Sequence, residues 1–435
     1  MNTRRTFLQT GAALLGANTI ALEAAPVPEQ TAPSDRVRFG MVGIGMQGSG
    51  LLGIANSLGE CVAAADLYEG RHILAREITN NPNLPVTRRY QDLLARKDID
   101  CIVAAVPDHH HRNVVVDACK AGKDIYCEKP MTHTASEGFE MISAARENNR
   151  IVQIGSQRVS GVPFGKAHEL YSAGAIGNVT MVELTLGRNE PTGAWEYPPP
   201  LDLSPQNLDW DTWLGSAPKI PFNAERFARW RCWKEYGTGV GGDLMVHLIT
   251  GMLFTLGWNE PPRSASALGG IVRWKDGRNM PDLHAVLFDY HGVPVYVRLS
   301  LDTDTPESSK FMGPKGILEV AGAQVRHSPQ RGVDTRPSYY TSSFPRAMRA
   351  EYAAQWHSAH DAERVPITEN AIYQASGEDD GVVHMRNFFQ AVKSRQPLLE
   401  DATFGHHAAL ACHMANESYF RKKPVSWNAE SRSII

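Results

Sequence analysis

A glycine-rich turn between an apolar run and a helical stretch is the feature that most constrains how this chain folds. Gly43, Gly45 and Gly48 form a GxGxxG pattern at the end of the apolar run, and the helical stretch continues to Leu58. Glycine is needed there for the tight turn, for close approach of the backbone to a pyrophosphate, and for packing of helix on strand. Asp66 ends the next apolar run about twenty residues on, where this motif carries an acidic residue. The spacing predicts a dinucleotide-binding site.

Short apolar runs alternate with helical stretches through the first third of the chain. The runs cover residues 61–65, 101–106, 125–127 and 151–155, with helical stretches at 70–79, 113–121 and 136–148 between them. Continuous apolar strands separated by helices predict a parallel sheet covered on both faces. We therefore predict a Rossmann domain over residues 36–157. Its first helix would present the N–H groups of Met46 and Gln47 to the cofactor phosphates.

From about residue 158 the pattern changes to longer runs in which apolar and polar residues alternate, at 179–186, 283–290, 293–301 and 317–320. Such alternation predicts an antiparallel sheet with one face packed on helices. Helical periodicity returns at 381–394 and 403–420, whereas residues 322–370 are polar and predicted to be loop-rich. We assign residues 158–435 to a second, substrate-binding and oligomerisation domain of α/β class.

Composition excludes several classes of function. At 435 residues the chain is too long for one ordinary core, so two domains are expected. The formal net charge is -3, and charges of both signs are interspersed. Because a nucleic-acid-binding protein needs a basic stripe or patch, we predict no nucleic-acid partner.

The first residues resemble an export signal. Arg4 and Arg5 precede Phe7, Leu8 and a short apolar run of small residues. A positive head followed by a short apolar segment is typical of a cleavable signal, and the arginine pair is typical of the twin-arginine route. We predict a signal peptide over 1–25, a linker over 26–35 and a periplasmic or otherwise exported protein. The run is too short for a membrane span, so no membrane anchor is expected.

Histidines and cysteines are present in groups that invite a metal interpretation. His109, His110 and His111 are consecutive, so their side chains point in different directions, and His406 and His407 have no obvious further ligand. The six cysteines show no CxxC spacing. We therefore predict no metal site and expect free thiols.

Two further segments carry groups suited to proton transfer. Lys129 follows an apolar run, and ligands bind at the carboxyl ends of strands in open α/β sheets. Asp243 and His247 are four residues apart, which places them on one face of a helix, where the carboxylate would orient the imidazole. The alternatives are a solvated turn lysine and a buried core histidine.

Together, the GxGxxG turn, the Pro107-x-x-x-His111 segment, Glu128-Lys129-Pro130 and Asp243-x-x-x-His247 resemble the Gfo/Idh/MocA oxidoreductases. The resemblance covers nearly all of the chain after the predicted linker. It implies a Rossmann domain followed by an α/β domain with an open, mostly antiparallel sheet. It also implies a homo-dimer or homo-tetramer and a small-molecule carbohydrate substrate.

The resemblance also implies roles for individual residues. Lys129, Asp243 and His247 would be catalytic, with His247 as the general base, and Arg158 would contact substrate. Besides the turn and Asp66, the cofactor would contact Pro107, His111, Glu128 and Lys129. Residues 208–215 resemble a signature of exported members, whose aromatic side chains serve either packing or sugar binding.

The cofactor is predicted to be NAD, with NADP as the alternative. A carboxylate at Asp66 accepts hydrogen bonds from a ribose 2′-OH and repels a 2′-phosphate. Arg71, on the following helix, is the counter-argument because it offers a cation to that phosphate.

Three functions are compatible with these residues. The first is an NAD(P)-dependent oxidoreductase acting on a secondary hydroxyl of a sugar, polyol or glycoside. The second is a redox-neutral NAD-dependent glycoside hydrolase, which oxidises, eliminates and re-reduces its substrate. The third is a non-catalytic dinucleotide sensor, which has no need of a proton-transfer set. Export favours a tightly held cofactor, because no nicotinamide pool exists outside the cytoplasm.

Overall fold

The computed structural model describes residues 19–22, 36–330, 339–360 and 369–435, which form two sheets. The first described element is strand β1 (Thr19–Leu22), which pairs in parallel with the edge of the larger sheet. These four residues belong to the predicted signal peptide. The rest of that peptide, with Arg4 and Arg5, and the predicted linker at 26–35 lie outside the described residues.

The N-terminal domain is a six-stranded parallel sheet of order β4-β3-β2-β5-β6-β7. Its strands are β2 (Arg38–Val42), β3 (Glu60–Ala65), β4 (Val86–Thr87), β5 (Cys101–Ala104), β6 (Asp124–Glu128) and β7 (Val152–Gly155). Its helices are α1 (Met46–Leu58), α2 (Gly70–Ile78), α3 (Tyr90–Leu94), α4 (Asp108–Lys120) and α5 (Glu137–Glu147). The predicted parallel sheet is confirmed.

Helix α4 begins at Asp108, five residues before the predicted start at 113, and therefore includes the histidine run. The apolar periodicity of the sequence does not extend into its first turn, because the polar residues Asp108, His109 and His110 contact the second domain there. Asp108 accepts hydrogen bonds from the backbone N–H and the hydroxyl of Thr238.

The second sheet has eleven strands, and it is antiparallel except for two neighbouring pairs, β1 with β15 and β8 with β11. Its further strands are β8 (Met181–Gly187), β9 (Ser264–Gly270), β10 (Leu283–Tyr290), β11 (Val293–Ser300), β12 (Thr305–Gly313), β13 (Gly316–Ala321), β14 (Gln324–Pro329), β15 (Ala371–Ala375), β16 (Val425–Asn428) and β17 (Ser433–Ile434). The predicted α/β class with a mostly antiparallel second sheet is confirmed.

Helices cover one face of this sheet, which follows from the alternation along its strands. In β10, Val286, Phe288 and Tyr290 are buried while Leu287 between them is half exposed. The remaining helices are α6 (Val162–Ser172), α7 (Trp210–Leu214), α8 (Ala224–Ala228), α9 (Val246–Leu256), α10 (Arg346–His360), α11 (Asp380–Ser394) and α12 (Ala402–Arg421).

Helix α11 returns to the Rossmann domain. Phe389 packs on Phe39 of β2 with ring centroids 5.7 Å apart, and Phe388 contacts Tyr126 of β6. The chain therefore enters the second domain at about the predicted boundary, residue 158, but it contacts the Rossmann domain again through α11.

The prediction of a loop-rich stretch over 322–370 is wrong where the structure describes that stretch. Strand β14 and helix α10 both lie within it. Only Val325 of β14 is fully buried, and α10 buries none of its residues. Because these elements bury so few residues, their sequences lack the apolar periodicity by which the other strands and helices were predicted.

All six cysteines lie in described parts of the chain and are free and buried, as predicted. Burial raises the pKa of the Cys61, Cys119 and Cys232 thiols to about 12. None of the described helices combines the length and apolarity that a membrane crossing requires.

Candidate active site

The glycine turn forms a cradle in which side chains have no room. Gly43 has φ +81°, and a Cβ there would lie 2.5 Å from the backbone oxygen of Ala105. A Cβ on Gly48 would lie 2.1 Å from the oxygen of Gly43. Gly45 is the N-cap of α1 and makes no side-chain cap bond, so the first N–H groups of the helix are available to an anion. The cradle fits a dinucleotide pyrophosphate.

Two adjoining cavities extend from this cradle. The larger, of about 510 Å³, is lined by Gly45, Met46 and Gln47 and reaches into the second domain. The smaller, of about 410 Å³, is lined by Gly43 and Asp66. Their linings share Arg71, Ala105, Val106, Pro107 and Trp213. The two cavities therefore form one cleft with room for both halves of a dinucleotide.

Asp66 closes the ribose side of the cradle. Its carboxylate accepts hydrogen bonds from the backbone N–H of Ile44 at 2.7 Å and of Tyr68 at 3.0 Å. Nη1 of Arg71 lies 3.3 Å from the same carboxylate. Arg71, which the sequence offered as a partner for a 2′-phosphate, is therefore already paired with Asp66.

Two further arginines line the smaller cavity, and both lie near carboxylates. Nη2 of Arg88 is 2.8 Å from Oε1 of Glu69, and Nε of Arg89 is 3.8 Å from Oδ1 of Asp92. The adenosine side of the cleft therefore presents no unpaired arginine among the described residues that line it, which favours a cofactor without a 2′-phosphate.

Residues 200–215, here called the strap, reach from the second domain across the smaller cavity. The backbone N–H of Glu69 donates to the oxygen of Asn207 at 2.9 Å, and that of Asp209 donates to the oxygen of Leu67 at 3.2 Å. Tyr68 donates its hydroxyl hydrogen to Asp202. The strap is thus tied to the loop that follows β3.

The histidine run secures the other end of the strap. Nε2 of His109 lies 2.9 Å and Nε2 of His110 lies 2.7 Å from the backbone oxygen of Trp213. Burial lowers the pKa of His110 to about 4. Trp213 stacks on Trp210 with ring centroids 4.7 Å apart, and both are buried. The aromatic residues of the 208–215 segment therefore serve packing over the cofactor cleft.

His111 lies behind the cleft rather than in it. Its Nδ1 is 2.8 Å from the oxygen of Pro130, and its Nε2 is 2.9 Å from the oxygen of Val106. Two carbonyl acceptors require two ring N–H donors. Burial opposes the resulting charge, but Cys127 and Asp108 outweigh burial and raise the pKa of His111 to about 10. His111 therefore positions the loops after β5 and β6, and its direct contact with the cofactor stays a prediction.

Glu128 joins three segments at the floor of the larger cavity. Its Oε1 accepts hydrogen bonds from Nε2 of Gln47 and from Nε2 of Gln157, both at 3.1 Å. Burial raises the pKa of Glu128. Gln47, from the glycine motif, and Glu128, from the Glu-Lys-Pro segment, are thus hydrogen-bonded to each other, and their contact with the cofactor stays a prediction.

Lys129 and Asp243 meet across the two domains. Nζ of Lys129 donates to Oδ1 of Asp243 at 2.9 Å and to its backbone oxygen at 2.8 Å. Nε of Arg231 donates to the same Oδ1 at 3.0 Å. Burial opposes ionisation of Asp243, but the two cations outweigh burial and lower its pKa, so it is a carboxylate at all ordinary pH.

His247 lines the same cavity from helix α9. Among the described residues the imidazole donates no hydrogen bond to the carboxylate of Asp243, so the orienting contact expected from the sequence is not formed. Residues Gly241–Met245 form a π-helical turn ahead of α9. Because a π-helix has more residues per turn than an α-helix, the i, i+4 alignment assumed from the sequence does not hold there. Asp243 pairs with Lys129 and Arg231 instead.

The imidazole of His247 is neutral. Burial is the main cause that lowers its pKa well below 6.5, and the cations of Lys129 and Arg158 lower it further. A neutral imidazole has a free ring nitrogen that can accept a proton. His247 is therefore in the state required of a base.

Arg158, the predicted substrate-binding residue, forms an ion pair with Glu307 and is not in the lining of the larger cavity. Its Nη2 is 2.6 Å from Oε2 of Glu307, and it lines a separate cavity with Val162 and Asp380. Arg188 and Arg231 line the larger cavity. Direct contact of Arg158 with substrate stays a prediction.

The sequence interpretation missed several residues that line the larger cavity. Arg188 directly follows strand β8, so its place at a strand end was a usable signal. The others come from an irregular aromatic-rich region without periodicity: Trp195, Tyr197, Trp230 and Arg231. Within the described ranges, no group of three or more His, Cys, Asp or Glu lies close enough to hold a metal ion.

Two models of one family match the chain. Residues 37–156 match the Gfo/Idh/MocA model described as oxidoreductase family, NAD-binding Rossmann fold. Residues 196–265 match its companion, described as oxidoreductase family, C-terminal alpha/beta domain. The predicted NAD-binding domain is confirmed.

Similarity to curated proteins is confined to part of their length. An inositol 2-dehydrogenase of Salmonella typhimurium is 32% identical over 152 residues, which are 34% of this chain and 44% of that protein. An uncharacterized oxidoreductase of Streptococcus pneumoniae is 29% identical over 145 residues, which are 33% of this chain and 38% of that protein. The chain matches less than half the length of these relatives.

Solved structures share the whole architecture. A levoglucosan dehydrogenase in complex with NADH and levoglucosan has a TM-score of 0.63 at 18% identity, covering 90% of this chain and 99% of that chain. An aldose-aldose oxidoreductase from Caulobacter crescentus, complexed with glycerol, has a TM-score of 0.64 at 15% identity and the same coverage. At these identities the likeness shows the fold.

Proposed function

Since the chain belongs to the Gfo/Idh/MocA oxidoreductase family, we propose that it oxidises or reduces a secondary hydroxyl of a sugar, polyol or glycoside with a tightly held NAD. The observation that carries this proposal is the larger cavity. It is lined by the glycine cradle, by Lys129 and by His247. Cofactor, proton acceptor and cation thus face a single space, which a sensor does not require.

The residues of this cavity divide the work of alcohol oxidation. Bound NAD⁺ supplies the hydride acceptor for the carbon that bears the hydroxyl. The neutral imidazole of His247 takes up the hydroxyl proton, as a base in hydrogen-bond reach must when hydride leaves. Lys129 donates an N–H to the same oxygen and stabilises the negative charge that develops on it. Asp243 positions Lys129 through their ion pair.

The aromatic residues of the larger cavity support a carbohydrate substrate. Trp195, Tyr197 and Trp230 line this cavity next to polar groups, with Trp195 buried and the guanidinium of Arg231 4.3 Å from the ring centre of Trp230. Two proteins that share the fold, a levoglucosan dehydrogenase in complex with levoglucosan and an aldose-aldose oxidoreductase, are named for sugars, which supports the same substrate class for this chain.

The strap supports a cofactor that stays bound. It is tied to the loop after β3 by two backbone hydrogen bonds and to helix α4 by His109 and His110. Release of the dinucleotide requires these bonds to open. The paired arginines of the smaller cavity support NAD rather than NADP.

A closed redox cycle follows from a retained cofactor. The oxidised substrate either leaves as a ketone, with a second sugar restoring the cofactor, or loses its aglycone before re-reduction. The second course is that of a redox-neutral glycoside hydrolase and is the alternative function. Incubation of the protein with a panel of sugars and aryl glycosides distinguishes them. Ketone formation supports the oxidoreductase, aglycone release without net ketone supports the hydrolase, and neither product with any compound contradicts both.

Export and assembly are part of the proposal. Arg4 and Arg5 support the twin-arginine route, and their replacement by lysine should leave the precursor in the cytoplasm; unchanged export would contradict this.

The half-exposed Leu287 on the sheet face without helices supports a homo-dimer or homo-tetramer. Light scattering of the purified protein tests it, and a monomer would contradict it.

A further inference from the structure

Arg188 is a cation of the larger cavity whose side chain has no acidic partner within the described ranges. It follows strand β8, is half-buried, and its stem lies against Gly193. The described residues provide no hydrogen bond or ion pair to its guanidinium. Its charge affects His247 and Tyr197, which both line the cavity, so it faces the space that the substrate would occupy.

The other charges of the cavity do not offset the charge of Arg188. Asp243 is shared by Lys129 and Arg231, so one carboxylate faces two cations. Glu128 lies at the floor, where its hydrogen bonds go to Gln47, Gln157 and the backbone N–H of Lys129. With Arg188 the substrate side of the cavity holds an excess of positive charge. A half-buried excess of this kind is stabilised by an anionic ligand.

The cofactor does not supply that anion at this position. Its pyrophosphate belongs at the N-terminus of α1, beside Gly45 and Gln47. Arg188 and His247 come from the second domain and line the same cavity as that helix end. Because the charge of Arg188 acts on His247, the base that faces the substrate hydroxyl, we assign the anion that meets Arg188 to the substrate.

We propose that the substrate is an acidic sugar, bearing a carboxylate or a phosphate ester, and that Arg188 is the specificity-determining residue that binds its anionic group. The planar guanidinium suits both groups because it donates two parallel N–H bonds. This inference rests on the proposed function, since it names the substrate class of the same site.

The same anion also acts on the base. Burial, together with the cations of Lys129, Arg158 and Arg188, holds the pKa of His247 well below its ordinary value. Asp243 is the carboxylate that opposes them. An anion against Arg188 offsets one of these cations, which makes the imidazole a stronger base when substrate is bound.

Matched compounds test the proposal with the cofactor-loaded protein. Neutral hexoses, their uronic acids and their 6-phosphates are compared by absorbance of the bound nicotinamide at 340 nm and by calorimetry. We expect one acidic member to have a kcat/KM about 10- to 100-fold above that of its neutral twin. Arg188→Gln should remove this preference by raising KM for the acid, so that kcat/KM for the acid falls to that of the neutral twin. Whichever acidic compound shows the higher kcat/KM, the uronic acid or the 6-phosphate, identifies the anionic group.

Two further variants serve as controls. Arg188→Lys keeps the charge and should retain part of the preference, whereas Arg273→Gln, on the exposed surface, should retain all of it. Equal kcat/KM for neutral and acidic twins, or an equal loss for both in Arg188→Gln, overturns the inference and leaves the proposed function standing. Acid binding in calorimetry, sensitive to Arg188→Gln but without any change in the nicotinamide or release of aglycone, upholds the inference and overturns the function. Neither binding nor reaction overturns both.

Discussion

Lys129 Nζ lies 2.9 Å from the Oδ1 atom of Asp243, and this pair joins the end of a Rossmann strand to the π-helical turn of the second domain. Each side chain is 11% exposed. Because the pair crosses the cleft, it fixes the position of the lysine relative to His247 on the following helix. Removal of one member of a buried pair leaves an uncompensated charge, which is more costly than the absence of the pair.

Replacement of Asp243 therefore affects stability as well as turnover. Asp243→Asn leaves Lys129 and Arg231 without a counter-charge, and we expect a loss of about 3 kcal/mol in the free energy of unfolding. Turnover should fall about 10- to 100-fold, less than on loss of the base itself. Denaturant unfolding and steady-state kinetics check both. Asp211→Asn, on the exposed surface of the strap, is the control. A variant as stable and active as the wild type would contradict the assignment.

The strap predicts slow release of the cofactor. His110→Ala removes one of the two hydrogen bonds to the oxygen of Trp213, and a hydrogen bond of this kind contributes about 1 kcal/mol. Dissociation of bound NAD should accelerate about fivefold, measured as cofactor lost during timed gel filtration. His407→Ala, which removes a hydrogen bond to Asn259 outside the cofactor cleft, is the control. Equal release from both variants would show that the strap does not retain the cofactor.

Asp66 predicts the identity of the cofactor. Heat release followed by mass spectrometry should yield NAD(H) from the wild type. Asp66→Ser removes the carboxylate and leaves Arg71 unpaired, so NADP should gain about 10- to 100-fold relative to NAD, as expected for a charged hydrogen bond. The ratio of the two dissociation constants measures the change. NADP(H) in the wild-type protein would contradict the account.

The glycine turn and the acidic residue after the next strand could be predicted from the sequence, because they need only local geometry. Gly43 and Gly48 cannot carry a Cβ, and Asp66 ends the neighbouring strand. Lys129 directly follows strand β6, at the strand end that the sequence predicts, since that strand belongs to a regular parallel sheet.

The substrate half depended on geometry that the sequence does not display. The π-helical turn before α9 directs Asp243 to Lys129 and Arg231, and no periodicity in the sequence distinguishes it from an α-helical turn. The strap binds through backbone atoms at Asn207 and Trp213, which leave no trace in residue type. Long-range pairs such as Arg158 with Glu307 join residues that are 149 positions apart in the sequence. Local sequence patterns do not predict such pairs.

Buried histidines predict a loss of stability in acid. Burial lowers the pKa of His284 to about 4. Below pH 6.5 the unfolded chain binds a proton that the folded protein does not, so stability present above pH 6.5 is lost as the pH falls toward 4. The contribution of this residue is about 3 kcal/mol over that window. His284→Phe, which keeps a ring against Tyr419, should flatten the decline by that amount in unfolding measured from pH 7 to pH 4. An unchanged pH profile would contradict it.

His247 is the residue on which the central claim depends. The cofactor-loaded protein is mixed rapidly with the preferred sugar, and the bound nicotinamide is followed at 340 nm through a single turnover. His247→Ala should retain its dinucleotide but react about 10²–10⁴ times more slowly, since a positioned base contributes that factor. Lys129→Ala should show a loss of the same order with the cofactor still bound. A His247→Ala variant that folds, holds NAD and reacts at the wild-type rate would contradict the account, because the imidazole would then be a packing residue rather than the base.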